Sequence, residues 1–275
     1  MKAELAYAKV NLVLQVGAPR PDGMHPLCSL FASLDLADEV RFEPADRDSI
    51  ECEGVSGENL ATSALAAFRA EAGEGLPPLR VEIDKRIPVA AGLGGGSADA
   101  AAVLRAANSL APRPLGAERL RAVAARLGSD VPSQVEPDHA LVAGVGEAVE
   151  PVALPDMTLV LVPQRAGIST REAYAELDRI GGCREQLDPE RLRRLAGAPL
   201  DELAAGVEND LEGAALSLRP ELSETLAELR SAGALAAAVS GSGPTTFGVF
   251  AGEEAAERGA SRIDGAVVAR VRGRT

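Results

Sequence analysis

Pro88-Val89-Ala90-Ala91-Gly92-Leu93-Gly94-Gly95-Gly96-Ser97-Ala98-Asp99-Ala100-Ala101-Ala102 is the stretch on which the fold turns. It follows Leu79, Val81 and Ile83, whose alternation has the period of a strand, and it runs into alanine-rich sequence with the character of a helix. Glycine lets the backbone pass through positive φ and lets a ligand approach the main chain. A helix N-terminus presents unpaired N–H groups and the positive end of its dipole. Strand, glycine loop and helix start together make an anion site, and the usual anion is phosphate. A bare tight turn is the competing reading, but four glycines in five positions exceed what a turn requires. The common phosphate loops do not fit. No Gly-Lys-Ser/Thr opens the helix, and Ser97 stands where the dinucleotide motif needs its third glycine.

The rest of the composition narrows the class. Hydrophobic residues are 46% of the 275, enough for a substantial core, and with 3% aromatics and no Trp that core must be Leu, Val and Ala. The net charge of −13 argues against nucleic-acid binding. An anion site in such a chain needs its own local positive potential. Lysine occurs only as Lys2, Lys9 and Lys85 against abundant arginine, so Lys9 inside an apolar segment is conspicuous. It is either an outward residue on an edge strand or a functional cation. Cys28, Cys52 and Cys183 show neither metal spacing nor a disulfide framework, in keeping with a reducing, cytoplasmic setting. Lys9, Asn11 and Gln15 interrupt the amino-terminal apolar run, so it does not read as a signal peptide. No apolar stretch is long enough to span a bilayer.

Strands are expected at 10–16 (half-buried), 27–36, 39–43, 141–143 and 148–152, and helices at 60–72 (Asn59 as N-cap), 97–110 and 117–127. Pro151 and Pro155 suggest a boundary, giving domains 1–152 and 153–275. Beyond it, Thr158 to Val162 reads as a strand and Ser169-Thr170-Arg171-Glu172 as a capping box. Helices are expected at 190–195, 208–218, 221–231 and 254–263, with strands at 235–239, 245–250 and 266–271. This half reads as α+β with a small antiparallel sheet. Arg191, Arg193 and Arg194 read as a solvated helix face.

Pro-x-x-x-Gly-Leu-Gly-Gly-Gly-Ser resembles the phosphate loop of the GHMP kinases, the galactokinase, homoserine, mevalonate and phosphomevalonate kinase superfamily. Ala8-Lys9-Val10-Asn11-Leu12 with Gly23-Met24-His25, Gly128-Ser129-Asp130-Val131-Pro132, and Ser240-Gly241-Ser242-Gly243-Pro244-Thr245 follow in the same order as that family's other motifs. The amino-terminal pair resembles one branch, whose acceptor is a cytidine-diphosphate ester of a branched four-carbon polyol. The resemblance covers nearly the whole chain. It implies an α+β GHMP kinase fold, with a ribosomal-S5-like N-terminal domain and a ferredoxin-like C-terminal domain. It implies an ATP- and Mg²⁺-dependent kinase acting on a small molecule, as a monomer or weak homodimer, without membrane or nucleic-acid partners.

Residue roles follow from the same resemblance. Pro88, Gly92, Leu93, Gly94, Gly95, Gly96 and Ser97 would hold the ATP phosphates, with Ser97 as a candidate Mg²⁺ ligand; read alone, Ser97 is a helix N-cap. Asn59 and Leu60, in Gly57-Glu58-Asn59-Leu60, would face the adenine; read alone, they cap and bury a helix start. Asp130 would be the catalytic aspartate with Lys9 beside it; read alone, it caps a turn before Pro132. Asn11, Met24, His25, Thr170, Tyr174, Gly241, Ser242 and Gly243 would contact the acceptor. His25 alone could be a satisfied loop histidine and Tyr174 a core aromatic. Met24 stands where the family usually has a tyrosine, which implies weaker stacking on the base.

Overall fold

The computed structural model describes residues 1–52, 59–164 and 167–273. Two compact units form. One comprises Met1–Ala8, Leu36–Val89 and Gly94–Pro137; the other comprises Lys9–Asp35, Ala90–Leu93 and the chain from Asp138 onward. Strands β1 (Lys2–Val16) and β2 (Leu27–Pro44) carry residues of both.

In the first unit, Glu39–Pro44 of β2 pairs antiparallel with β4 (Leu79–Asp84), and β3 (Ser49–Cys52) pairs parallel with β4. Helix α1 (Leu60–Ala72) starts at its Asn59 cap, as its sequence predicts. Helix α2 (Gly95–Leu110) and helix α3 (Ala117–Ala125) complete the unit. The core is mostly aliphatic, with Leu79, Val81, Leu104 and a row of alanines from α2 around Phe42 and Phe68. Small side chains let α2 lie close to α1 without gaps, which is how a core with few aromatics reaches close packing.

In the second unit, Leu27–Phe31 of β2 pairs with β5 (Ala140–Gly144), which pairs with β6 (Ala148–Pro151). Next come β7 (Thr158–Val162), α4 (Thr170–Ile180), α5 (Pro189–Ala196) and α6 (Leu200–Ala205). The unit continues through β8 (Glu208–Asn209), α7 (Glu212–Leu218) and α8 (Leu222–Ser231). It ends with β9 (Ala236–Val239), β10 (Thr246–Phe250), α9 (Glu253–Ala260) and β11 (Val267–Arg270). Strands β11-β7-β10-β9 form the small antiparallel sheet that the sequence predicts. The Ser169 capping box is formed in both directions. Arg191 pairs with Glu208, and Arg193 with Glu150 and Glu190, as an ion-paired helix face. No helix among the described residues is long and apolar enough to cross a membrane.

Four expectations are corrected. Strand β1 is buried on both faces from Ala8 to Val16, not half-buried, so Asn11 and Gln15 are interior polar residues. Strand β2 is continuous where two strands are expected. Asp38, between the two expected strands, is fully buried and paired with Lys85. Helix α2 starts at Gly95 rather than Ser97, because Gly94 takes the left-handed conformation at its cap. The expected helix 208–218 begins at Glu212, because Glu208 and Asn209 pair parallel with Val13 and Leu14.

Candidate active site

In the first unit, the candidate anion site is framed by two helix starts. Gly94, at φ +73°, caps α2 and its carbonyl accepts the Ala98 N–H at 2.9 Å. It has no side chain to cap the helix. The N–H groups of Gly95, Gly96 and Ser97 thus belong to the first turn, where intrahelical acceptors do not exist. Pro88 is half-buried ahead of the loop. Ser97 is the third helical residue, half-exposed, so the N-cap reading of it does not hold. A Cβ on Gly95 would stand 3.0 Å from Ile87 and 3.4 Å from the Lys85 ammonium, whereas one on Gly96 would meet nothing nearer than Leu60 Cδ1 at 3.9 Å. Asn59 Oδ1 accepts the Ala61 N–H at 3.0 Å, so it does cap α1. Leu60 is 36% exposed rather than buried. An exposed leucine therefore borders the open side of the loop. Gly57 and Glu58, quoted with this segment, lie outside the described residues.

Beneath the loop lies a cluster that sequence reasoning missed. The Lys85 ammonium donates to Asp38 and, at 2.7 Å, to Asp99. Asp38 also accepts the backbone N–H groups of Arg86 and Ile87 at 2.6 and 2.7 Å. The second oxygen of Asp99 is buried without a partner, and burial raises that carboxyl to about 7. The scarcity of lysine is the signal that could have drawn attention to Lys85. Asp130 is half-buried in the turn after α3; its carbonyl accepts the Ser133 hydroxyl at 2.8 Å.

In the second unit, β1 and β2 carry a buried polar chain. Lys9 is 4% exposed, which removes the outward reading. Its ammonium donates to Asn11 Oδ1 at 2.7 Å and lies 4.5 Å above the Phe31 ring. Asn11 Nδ2 donates to Ser29 Oγ at 2.9 Å, and Ser29 donates to the Val13 carbonyl at 2.6 Å. The Lys9 N–H donates to the Leu93 carbonyl at 3.0 Å. The Gly241–Gly243 turn lies against this chain. A Cβ on Gly241 would stand 3.2 Å from Asn11 Oδ1 and 3.7 Å from the Lys9 ammonium. Asn209 Nδ2 holds the turn by donating to the Val239 and Gly241 carbonyls, both at 2.8 Å, and the Ser240 hydroxyl donates to the Gly92 carbonyl at 3.0 Å. Thr170 and Ser242 bring their hydroxyls to 3.3 Å. Ser29 and Asn209 carry no motif in the sequence.

His25 is buried, and its Nδ1 lies 2.9 Å from the Gly17 carbonyl. The half-buried Tyr174 ring is tilted against it with centroids 5.0 Å apart. Tyr174 also packs on the core with Leu14 and Leu177, so its core reading holds in part. Met24 is 47% exposed. The other histidine, His139, accepts the Ser33 N–H at 3.1 Å on Nδ1 and faces the Arg272 carbonyl at 2.7 Å with Nε2, a structural arrangement.

Residues 59–137 match the GHMP kinases N terminal domain and residues 185–269 the GHMP kinases C terminal domain, which makes the architecture that of a GHMP kinase. The 4-diphosphocytidyl-2-C-methyl-D-erythritol kinase of Nocardia farcinica is 43% identical, over 96% of this chain and 90% of its own length. That of Cereibacter sphaeroides is 43% identical over 96% and 94%. A crystal structure of 4-(cytidine 5'-diphospho)-2C-methyl-D-erythritol kinase superposes with a TM-score of 0.82 at 37% identity, covering 99% of this chain and all of that one. A homoserine kinase from Cytophaga hutchinsonii, 18% identical over 98% of this chain and 94% of its own, shares the fold with a TM-score of 0.73. The chain belongs to the family of 4-diphosphocytidyl-2-C-methyl-D-erythritol kinases. It is a kinase, a transferase that phosphorylates an alcohol, of a superfamily that uses ATP as phosphate donor.

Proposed function

We propose that this chain transfers the γ-phosphoryl group of ATP to the 2-hydroxyl of 4-diphosphocytidyl-2-C-methyl-D-erythritol. The observation that carries the choice of acceptor is the buried His25 imidazole beside the Tyr174 ring. A small alcohol needs neither, whereas a cytosine needs a polar partner on its edge and a ring for its face. Thr170, Ser242 and the Gly241–Gly243 turn suit the acceptor's diphosphate, and Asn11 its polyol. Met24 takes the second face of the base as a thioether.

On the donor side, the first-turn N–H groups of α2 hold the phosphates, and Asn59 and Leu60 face the adenine. Pro88, Gly92 and Leu93 shape the approach to the loop. The acceptor oxygen forms the new P–O bond, the β–γ bridging oxygen leaves with ADP, and the hydroxyl proton goes to Asp130. Lys9 supplies a cation to the transferring group, whose charge spreads over its outer oxygens. Mg²⁺ suits the hard hydroxyl donor of Ser97, half-exposed on the first turn, and when bound it neutralises phosphate charge. The domain division 1–152 and 153–275 and a cytoplasmic setting belong to the same reading.

The test is ADP release with the cytidylyl acceptor, against homoserine and mevalonate. Turnover is expected with the first alone. Turnover with homoserine or mevalonate and none with the cytidylyl ester would overturn the acceptor.

A further inference from the structure

Cys183 and Asp178 have no part in the reaction above, yet both reach the same imidazole. His25 Nε2 lies 3.4 Å from Asp178 Oδ2. Cys183 Sγ lies 3.5 Å from Asp178 Oδ1 and 3.8 Å from His25 Nδ1. One donor atom from each of the three falls within 4.8 Å of the others. We propose that His25, Asp178 and Cys183 form a binding site for a divalent cation of the Zn²⁺ class.

Three features of the site support it. A carbonyl can only accept, so the contact with Gly17 puts the His25 proton on Nδ1 and leaves a lone pair on Nε2. Metal-bound histidines are held this way, through the far nitrogen to a backbone carbonyl. Without a cation, that lone pair faces a carboxylate oxygen, an arrangement a positive ion relieves. The donor set, one imidazole, one thiol and one carboxylate, matches a borderline-soft ion rather than Mg²⁺ or Ca²⁺. Donors around such an ion, at bonds of ~2.0–2.3 Å, stand roughly 3.3–3.8 Å apart; Asp178 meets that spacing to His25 Nε2 at 3.4 Å and to Cys183 Sγ at 3.5 Å, and one donor from each of the three residues lies within 4.8 Å of the others. Asp178, with its side chain 44% exposed, gives access from solvent. The fourth position is left to water. Binding displaces the Cys183 thiol proton: the S–H bond breaks, the sulfur–metal bond forms, and one proton leaves to solvent. The sequence hides this site because its ligands stand at positions 25, 178 and 183, with no motif spacing.

On the reading that His25 meets the cytosine, an occupied site withholds the imidazole from the acceptor. Co²⁺ titration of the full chain reads the site directly, through the near-ultraviolet absorption of a thiolate–cobalt bond. One equivalent is expected, displaced by Zn²⁺. Cys183→Ser should abolish the band, His25→Ala and Asp178→Asn should each weaken Co²⁺ binding tenfold or more, and Cys28→Ser and Cys52→Ser should keep it. No band in the unmodified protein, or one that survives Cys183→Ser, overturns the site. Zn²⁺ should also raise the KM for the cytidylyl acceptor in the unmodified enzyme and not in Cys183→Ser. A cobalt band with an unmoved KM would support the cation site and remove His25 from cytosine recognition.

Discussion

Gly92 and Gly96 belong to one glycine-rich stretch, and the structure gives them opposite reasons to be glycine. Gly92 sits at φ +77°, and a Cβ there would lie 2.5 Å from the Ser240 carbonyl oxygen and 2.8 Å from that of Gly243. Gly241 and Gly243 are likewise at positive φ against packed neighbours. The fold requires these glycines. Gly96 is helical, and its Cβ direction is open apart from Leu60 at 3.9 Å. Glycine in a helix loses about 0.5–1 kcal/mol against alanine. The fold is weakened by glycine at that position and gains nothing in packing. What does gain is anything that must come against the backbone from outside, as a phosphate does. A turn and a binding loop look alike as letters; they differ in what a methyl group would strike.

Four variants break or sharpen this contrast. Gly92→Ala should be the most damaging, because two backbone carbonyls must move and the residue is left at positive φ. Left-handed strain and overpacking together give a loss of about 2–5 kcal/mol, read by urea unfolding. A Gly92→Ala protein as stable as its parent would show that this glycine is no more structural than Gly96. Asp130→Asn should lower kcat by ~10²-fold or more while leaving ATP affinity in place, since proton transfer by a positioned side chain contributes that much. Near-normal turnover would take Asp130 out of the chemistry. Gly96→Ala should do the reverse: unfolding midpoint unchanged or raised, ATP affinity about tenfold weaker by calorimetry, from loss of roughly one good charge-assisted contact. Unaltered affinity would mean that no ligand approaches there.

The last variant concerns the buried cluster below the loop. Asp99 is raised to about 7 from 3.8, so between these values the folded chain binds a proton that the unfolded chain has lost. Its contribution to stability is complete below about pH 4 and declines as pH rises through 7. Asp99→Asn should therefore flatten the pH dependence of the melting temperature across that window. An unchanged slope would place the pH response on other groups.

The periodic elements were legible because their pattern is local. Helix α1 with its Asn59 cap, β7, and the Ser169 capping box stand where the letters put them. Three of the four errors share one cause, polar residues in buried places; the other, the start of α2, comes from the left-handed Gly94. Asp38 falls between two expected strands because nothing near it in sequence reveals Lys85, 47 residues away. Asn209 reads as part of a helix because its partners, the Val239 and Gly241 carbonyls, are 30 and 32 residues away. The candidate site divides in the same manner. Its glycines, Lys9 and His25 are visible through motif and scarcity. Ser29, Asn209 and Cys183, each placed by a long-range contact, are not.

The burial of Lys9 and Lys85 also bears on the chemistry of the molecule's outside. With Lys9 at 4% exposure and the Lys85 side chain at 12%, the exposed lysine is Lys2, at the start of β1. The remaining surface cations are arginines, which do not react as amines do. Acylating reagents should therefore mark this protein at one edge, and a sensor surface coupled through amines should display every molecule in the same orientation.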